Sequence, residues 1–416
     1  MKTRNRSMLG ALFLLSTVNS LLAIAYAQGS LTPPGAPAPT MKSLDQIEAR
    51  TPISSAPYVI TKPGSYFLTT NLNVTAGDAI DINASGVTLD LNGFTIASTA
   101  PGAAGTAIQL ESGMNDLTIF NGHIRGGVTN NAGIFGGNGF LNGIYFSAYS
   151  PFGGFCSNVC VRGVSVYGCL SAGILITSAG NYNNASVIEG CTVQNVGGFG
   201  LEAGVVSRCM AYGCGNTAIG AGTAADSIGE SISGDGLYAL TAANCYGYGY
   251  GSGAMGVYVS TTAMNCYGYS DGSYGLLAGT AINCYGQNGG NGYGLSAQAA
   301  QNCVGSSGGG IGIYAGGIAT ACSGSSSSGY GLSATVANSC IGASTYSVGL
   351  VATVANSCYG TSIGSSGGIA AQIATGCYGS CGVAIGAGLT AFIGNSSYGR
   401  NTSGASEVVT NKYNMP

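Results

Sequence analysis

A regular spacing of cysteines constrains this 416-residue chain more than any other feature. Ten cysteines follow one another 18 to 21 residues apart, except for one gap of 36 residues that holds Ser227 at its centre; Ser397 continues the series. A series of aliphatic residues keeps step, each member lying 8 or 9 residues before a position of the cysteine series. A repeated unit of nearly constant length predicts a solenoid. The cysteine series is Cys191, Cys209, Cys245, Cys266, Cys284, Cys303, Cys322, Cys340, Cys358 and Cys377; the aliphatic series is Leu201, Ile219, Leu237, Val257, Leu276, Leu295, Ile313, Leu332, Leu350, Ile369 and Leu389.

The N-terminal half predicts longer coils of the same kind. From Tyr58 onward, apolar and polar residues alternate in short runs separated by Gly, Asn and Pro, which is typical of half-buried strands. The step from Ile80 to the equivalent Ile108 is 28 residues. If these two coils align, Asp81 lies next to Gln109 and Asp90 next to Phe120.

Two segments carry a resemblance to a known family. Residues 87–93 (VTLDLNG) and 117–126 (LTIFNGHIRG) resemble the opening coils of bacterial secreted proteins of the pectin-lyase-like superfamily, and the later Asn-Cys-Tyr-Gly units resemble compact coils of that kind. The resemblance covers about residues 44–400. It implies an all-β, single-stranded right-handed parallel β-helix, with compact 18-21-residue coils in the C-terminal half. The superfamily includes pectate lyases, polygalacturonases, tailspikes and adhesins, so it does not fix an activity.

The N-terminus predicts export. Lys2, Arg4 and Arg6 precede an apolar run that ends in Ala25-Tyr26-Ala27, the pattern of a signal peptide cut after Ala27. We expect a Pro-rich linker over 28–43, an N-terminal cap and longer coils over 44–190 (with a short capping helix at 43–50), regular coils over 191–400 and a tail over 401–416. The predicted location is outside the cell, at its surface or in the periplasm.

Charge excludes some partners. Only 6% of residues are charged, the formal net charge is −3, and no charged residue lies between Asp271 and Arg400. Without a basic patch to neutralise phosphates, nucleic acid is not expected as a partner. No transmembrane helix and no cofactor are predicted.

The cysteines allow three interpretations. A buried row of free thiols is favoured because a thiol is a good small apolar filler; a stack of disulfides and a thiolate metal row remain alternatives. Export permits oxidation, so pairs that are close in sequence and include at least one cysteine outside the regular row are candidates for local disulfides. These pairs are Cys156 with Cys160, Cys209 with Cys214, and Cys377 with Cys381.

Tyrosines and a few acids are the candidate site residues. Tyrosine follows the cysteine of the series at Tyr246, Tyr267, Tyr285, Tyr359, Tyr378 and Tyr398, where stacked rings either bind sugars or only stabilise the solenoid. Asp226, Glu230 and Asp235, with Arg208 one coil earlier, form the closest acidic group and are weak catalytic candidates. His123 is the single histidine and has no carboxylate beside it in sequence.

These observations favour an exported, non-catalytic solenoid of the cell surface, of adhesion or of the extracellular matrix that binds glycans or another surface protein. The alternative is a polysaccharide lyase or glycoside hydrolase, which in this superfamily uses clustered aspartates, or calcium-binding carboxylates with an Arg or Lys base. No such pattern can be matched here residue by residue. An open last coil also predicts self-association.

Overall fold

The computed structural model describes residues 49–146, 156–177 and 185–415. The predicted signal peptide, the linker and the predicted capping helix up to residue 48 lie outside them. The compact unit from Arg50 onward is described below.

Within the described residues the unit is all-β, with forty strands and no helix. The first coils contain β1 (Thr51–Ile53), β2 (Tyr58–Ile60), β3 (Gly64–Leu68), β4 (Leu72–Val74), β5 (Ile80–Ile82), β6 (Val87–Asp90), β7 (Thr95–Ser98), β8 (Thr106–Leu110), β9 (Asn115–Arg125), β10 (Gly127–Asn131), β11 (Ile134–Asn138), β12 (Asn142–Phe146), β13 (Ser157–Tyr167), β14 (Ile174–Leu175), β15 (Val187–Glu189) and β16 (Thr192–Val196).

The regular coils alternate a longer and a shorter strand. They contain β17 (Leu201–Ser207), β18 (Met210–Cys214), β19 (Ile219–Ala225), β20 (Ile228–Ser231), β21 (Leu237–Ala243), β22 (Tyr246–Gly249), β23 (Val257–Met264), β24 (Tyr267–Ser270), β25 (Leu276–Ile282), β26 (Tyr285–Asn288), β27 (Leu295–Gln301), β28 (Val304–Ser307), β29 (Ile313–Thr320), β30 (Ser323–Ser326), β31 (Leu332–Asn338), β32 (Ile341–Ser344), β33 (Leu350–Asn356), β34 (Tyr359–Ser362), β35 (Ile369–Thr375), β36 (Tyr378–Cys381), β37 (Leu389–Asn395), β38 (Tyr398–Asn401), β39 (Gly404–Ala405) and β40 (Glu407–Tyr413).

The strands stack in parallel from one coil to the next, which confirms the predicted solenoid, with coils of about 19 residues. The aliphatic series forms one continuous row, in which Leu201 is paired with Ile219 and Ile369 with Leu389. In the longer early coils Asp81 pairs with Gln109 and Asp90 with Phe120, as predicted.

Each regular coil encloses a very thin core. The long strand turns leucine and alanine inward, as at Leu295 and Ala297, and the short strand turns Cys303, Gly305 and Ser307 inward. A methyl group on Gly305 would collide with the carbonyl oxygen of Gly312 on the far side of the coil. Small residues are therefore required because the two backbones nearly touch.

The corner before each cysteine explains the repeated Asn-Cys dipeptide. Asn244, Asn265, Asn283 and Asn302 have φ between 52° and 55°, a left-handed conformation that asparagine tolerates better than most residues. Each Asn side chain donates to the one below it, as from Asn265 Nδ2 to Asn244 Oδ1 at 3.0 Å. These bonds form a ladder along the corner.

The cysteine series is a row of buried free thiols. Each sulfur donates to the carbonyl oxygen two residues earlier, as from Cys303 Sγ to Gln301 O at 3.2 Å. Ser227 and Ser397 make the same bond at 2.7 and 3.1 Å, so serine replaces cysteine without a change of role. The neighbouring thiols of Cys245 and Cys284, together with burial, raise the pKa of Cys266 above its ordinary range.

A second inward row, which the cysteine spacing did not predict, holds a buried polar residue at the end of most short strands. Ser307, for example, donates to Gly292 O at 2.7 Å and accepts from Gly310 N at 2.8 Å, which closes the following turn. Two cysteines outside the regular series, Cys214 and Cys381, occupy this row beside Ser231 and Ser362.

This placement keeps the predicted local disulfide partners apart, and all six cysteines are free thiols. Cys377 immediately precedes β36, which ends at Cys381, and Cys209 immediately precedes β18, which ends at Cys214. Cys156 and Cys160 are separated by the first residues of β13. Along β36 the four steps from Cys377 to Cys381 span ~13 Å, whereas the Cα atoms of a disulfide lie about 4.4–6.8 Å apart.

Two further strands lie within the described part, 401–415, of the segment predicted to be a tail. β39 pairs antiparallel with β38, and β40 pairs parallel with β37 over its whole length. Val409 and Met415 pack against the core. The β-branched run Val408-Val409-Thr410 is a sequence signal for this strand.

Candidate functional site

The short strands β22, β24 and β26 present tyrosines on their outer face. Because Cys245, Gly247 and Gly249 point inward, Tyr246 and Tyr248 point outward. The next two coils repeat the arrangement in register. We call the resulting surface the tyrosine patch; it consists of Tyr246, Tyr248, Tyr250, Tyr267, Tyr269 and Tyr285.

The rings of the patch contact one another across coils. Tyr267 and Tyr285 are stacked with centroids 5.2 Å apart and an angle of 5° between planes. Tyr246 and Tyr248 lie 6.0 and 5.7 Å from Tyr267. Tyr250 lies 6.1 Å from Tyr269, so the two columns form one continuous aromatic surface.

Four tyrosines of the patch have raised pKa values. Desolvation is the largest of the causes that raise the pKa values of Tyr248, Tyr250 and Tyr267. The Tyr269 hydroxyl donates to Asp271 Oδ1 at 2.6 Å, and this bond raises the pKa of Tyr269 to about 12. Tyr267 donates to Gln287 Oε1 at 3.2 Å. Polar partners thus fix two of the rings.

The predicted tyrosine row is divided into two groups. Tyr359 and Tyr378 stack at 5.3 Å, and Tyr398 follows at 5.7 Å. Val304, Ser323 and Ile341 separate this second stack from the patch. The cysteine spacing did not predict Tyr248, Tyr250 and Tyr269. The alternation of Tyr and Gly over 246–250 and again over 267–269 is a signal for them.

A groove runs beside the patch. Tyr212, Ile228 and Glu230 line a cavity of about 440 Å³ together with the patch tyrosines of β22 and Tyr250. This size lies within the usual range for ligand sites, and aromatic walls with one or two polar groups are their common lining.

The predicted acidic group is spread over one coil and not gathered in a site. Asp226 lies at the corner and accepts from Asn244 Nδ2 at 2.9 Å. Glu230 lies four residues after Asp226, on the outer face of β20. Asp235 lies in the following turn, where it accepts from Met255 N at 2.7 Å and where burial raises its pKa.

The cations and the histidine do not complete a catalytic group with these acids. Arg208 forms an ion pair with Glu189. His123 lies exposed on β9, with Nδ1 3.4 Å from Ser165 Oγ. Among residues 49–146, 156–177 and 185–415, no group of three or more His, Cys, Asp or Glu side chains is arranged to hold a metal ion.

The described part of the chain also contains no helix with the length and apolarity needed to cross a membrane. Comparison with family models, with curated proteins and with solved structures found no match for this chain. Its class is therefore defined by its own architecture, a parallel β-solenoid with buried rows of cysteine and leucine and an exposed aromatic patch.

Proposed function

We propose that this protein is an exported, non-catalytic β-solenoid of the cell surface or extracellular matrix that binds glycans through the tyrosine patch. The observation that carries the proposal is the continuous aromatic surface on β22, β24 and β26 beside an open groove.

The chemistry of the patch suits a sugar chain. The apolar C–H face of a pyranose ring packs on an aromatic face, and its hydroxyls need polar partners at the rim. Here Glu230, Gln287 and Asp271 supply such partners next to the rings. Successive coils lie ~4.8 Å apart, close to the length of a sugar unit, so rings on three coils offer several contacts along one chain.

The test is binding of the purified protein to a panel of insoluble and soluble polysaccharides. Replacing both Tyr246 and Tyr267 by Ala removes the centre of the patch, and we expect affinity to fall roughly tenfold, since each ring contributes about 0.5–1 kcal/mol. Tyr346→Ala, at an exposed tyrosine in a turn outside the patch, is the matched control and should bind as the wild type does. Equal binding by all three proteins would refute the role of the patch.

The same panel separates binding from catalysis. The alternative function, a polysaccharide lyase or hydrolase, requires release of unsaturated or reducing ends. Retention without released ends is the outcome expected of a non-catalytic binder. Released ends that disappear in Glu230→Gln would instead favour the enzyme.

A further inference from the structure

A hairpin that interrupts the coils builds a second cavity next to the tyrosine patch. Strands β10 and β11 pair only with each other and project from the coil between β9 and β12. Asn195 Nδ2 donates to Val128 O at 2.7 Å and attaches the hairpin to β16. Phe135 lies so close to Gly197 and Gly215 that a Cβ on either would approach it to 3.1 or 3.0 Å. The hairpin therefore lies across the coils that follow it.

The sheet beneath the hairpin is deformed at the same place. Asn195 in β16 and Gly213 in β18 have φ of 58° and 61°, and the pairing of β18 with β20 shifts between Ala211 and Cys214. Such bulges redirect neighbouring side chains and are common beside functional sites. Here they lie directly beside Gln194 and Tyr212, which are paired across β16 and β18.

Hairpin and bulges enclose a cavity of about 440 Å³, which we call the hairpin pocket. Thr129 and Asn130 form its hairpin side; Tyr167, Gln194, Tyr212 and Glu230 form its sheet side. Because Tyr212 and Glu230 also line the groove of the tyrosine patch, the two cavities adjoin.

The lining defines the chemistry of a ligand. Two aromatic side chains, three amides and one threonine hydroxyl suit a ring that carries many hydroxyl groups. Glu230 is the single ionisable acid or base among the lining side chains except for the tyrosines. No Lys or Arg is among the lining residues, and Arg125 lies over the Tyr167 ring at 5.5 Å. A carboxylate in the ligand would face Glu230 without a compensating cation, at a cost that rises as water is excluded.

We propose that the hairpin pocket is a specificity subsite that holds one sugar unit of an uncharged glycan and rejects uronic acids through Glu230. This inference rests on the proposed function, since it assumes that a glycan lies along the tyrosine patch. It adds the class of sugar and the residues that select it.

The experiment measures binding of soluble neutral oligosaccharides and of uronic acid oligosaccharides of equal length by calorimetry. We expect the wild type to bind the neutral set and not the acidic set. Glu230→Gln keeps the shape and removes the charge, so it should gain at least tenfold in affinity for the acidic set. A gain of binding cannot arise from misfolding.

A second variant tests the amide contact. Gln194→Ala should weaken neutral binding by about tenfold, since one hydrogen-bonding side chain is lost. Gln372→Ala, at an exposed glutamine of the long strand β35 that does not line the hairpin pocket, is the matched control. Unchanged affinity in Gln194→Ala together with no acidic gain in Glu230→Gln would overturn the inference and leave the proposed function intact. A wild type that binds no glycan would overturn both.

Discussion

Single glycines fix the width of each coil. Gly286 faces Gly294 across the core, and a Cβ on Gly286 would collide with the carbonyl oxygen of Gly294 and come within 3.0 Å of Leu295 Cα. Backbone atoms cannot move aside as a flexible side chain can. The coil would have to widen, and its hydrogen bonds to both neighbouring coils would be strained.

We therefore expect Gly286→Ala to destabilise the protein by about 2–3 kcal/mol. Gly253→Ala is the matched control, because its Cβ would meet nothing within 4 Å and its φ is not left-handed. Thermal unfolding followed by circular dichroism measures both. A melting temperature lowered equally in the two variants would contradict the explanation from packing.

Tyr269 gives a prediction about pH. Its pKa is raised from 10.0 to about 12, chiefly by the hydrogen bond to Asp271. Below pH 10 both folded and unfolded chains keep the phenol proton. Between pH 10 and 12 only the unfolded chain loses it, so rising pH favours unfolding, and the contribution of Tyr269 is lost above its folded pKa.

Asp271→Asn removes the charged acceptor, and the pKa of Tyr269 should fall toward its ordinary value. Phenolate absorbance during an alkaline titration, with Tyr269→Phe subtracted, measures that pKa. No difference between the wild type and Asp271→Asn would show that the carboxylate does not control this ring.

At the scale of elements, the asparagine corners join one coil to the next. Asn265 donates to Asn244 Oδ1 at 3.0 Å and accepts from Asn283 Nδ2 at 3.2 Å. Ala321 occupies the equivalent corner with φ of 52°, so the backbone also permits alanine there. Alanine, however, has no side-chain amide and cannot take part in the ladder of hydrogen bonds.

We expect Asn265→Ala to cost about 1–2 kcal/mol, because two amide bonds and a residue suited to the left-handed conformation are lost. The reverse change, Ala321→Asn, should raise the melting temperature, since it extends the ladder beyond Asn302. Asn73→Ala, at an exposed position of β4, is the control. A stabilising effect of Asn265→Ala would contradict this account.

The sequence predicted the coil length and the aliphatic row because inward apolar residues repeat with the coil. It did not predict the hairpin of β10 and β11, since Gly127 to Asn138 show no alternating pattern. It also grouped Asp226, Glu230 and Asp235 by their short separation in sequence, although an extended strand carries such neighbours apart. Three of the six tyrosines of the patch, Tyr246, Tyr267 and Tyr285, were predicted because each directly follows a cysteine of the series.

In the solenoid as a whole, β40 differs from the strands before it because it places charged residues in the inward rows. Glu407 stands in register with Leu389, and Lys412 with Gly394. The two side chains form an ion pair at 3.2 Å. Charges at inward positions of an edge strand oppose the addition of a further strand, because they would be buried by it.

Self-association through the last coil stays a prediction, and we expect the charges of Glu407 and Lys412 to limit it. Replacing Glu407 by Leu and Lys412 by Ala restores the leucine and small-residue rows, so we expect end-to-end dimers to increase at least tenfold over the wild type. Sedimentation velocity at several concentrations measures this. Lys62→Ala with Glu111→Leu removes the same two charges elsewhere and should leave the sedimentation coefficient unchanged; an equal increase there would point to non-specific association.

Successive regular coils have similar cross-sections, so the length of the solenoid is set by the number of coils. The segment from Cys322 to Ser339 is one full coil of 18 residues, and its removal would bring Cys340 to the position that Cys322 now holds. The inward rows of the coils on either side of this segment carry the same kinds of residue, as in the pairing of Leu332 with Leu350 and of Ala334 with Ala352. Duplication or loss of a coil thus moves the final charged strand away from or toward the hairpin in steps of ~4.8 Å. The distance between the hairpin and β40 can therefore change during evolution by whole coils, while the hairpin and β40 themselves stay the same.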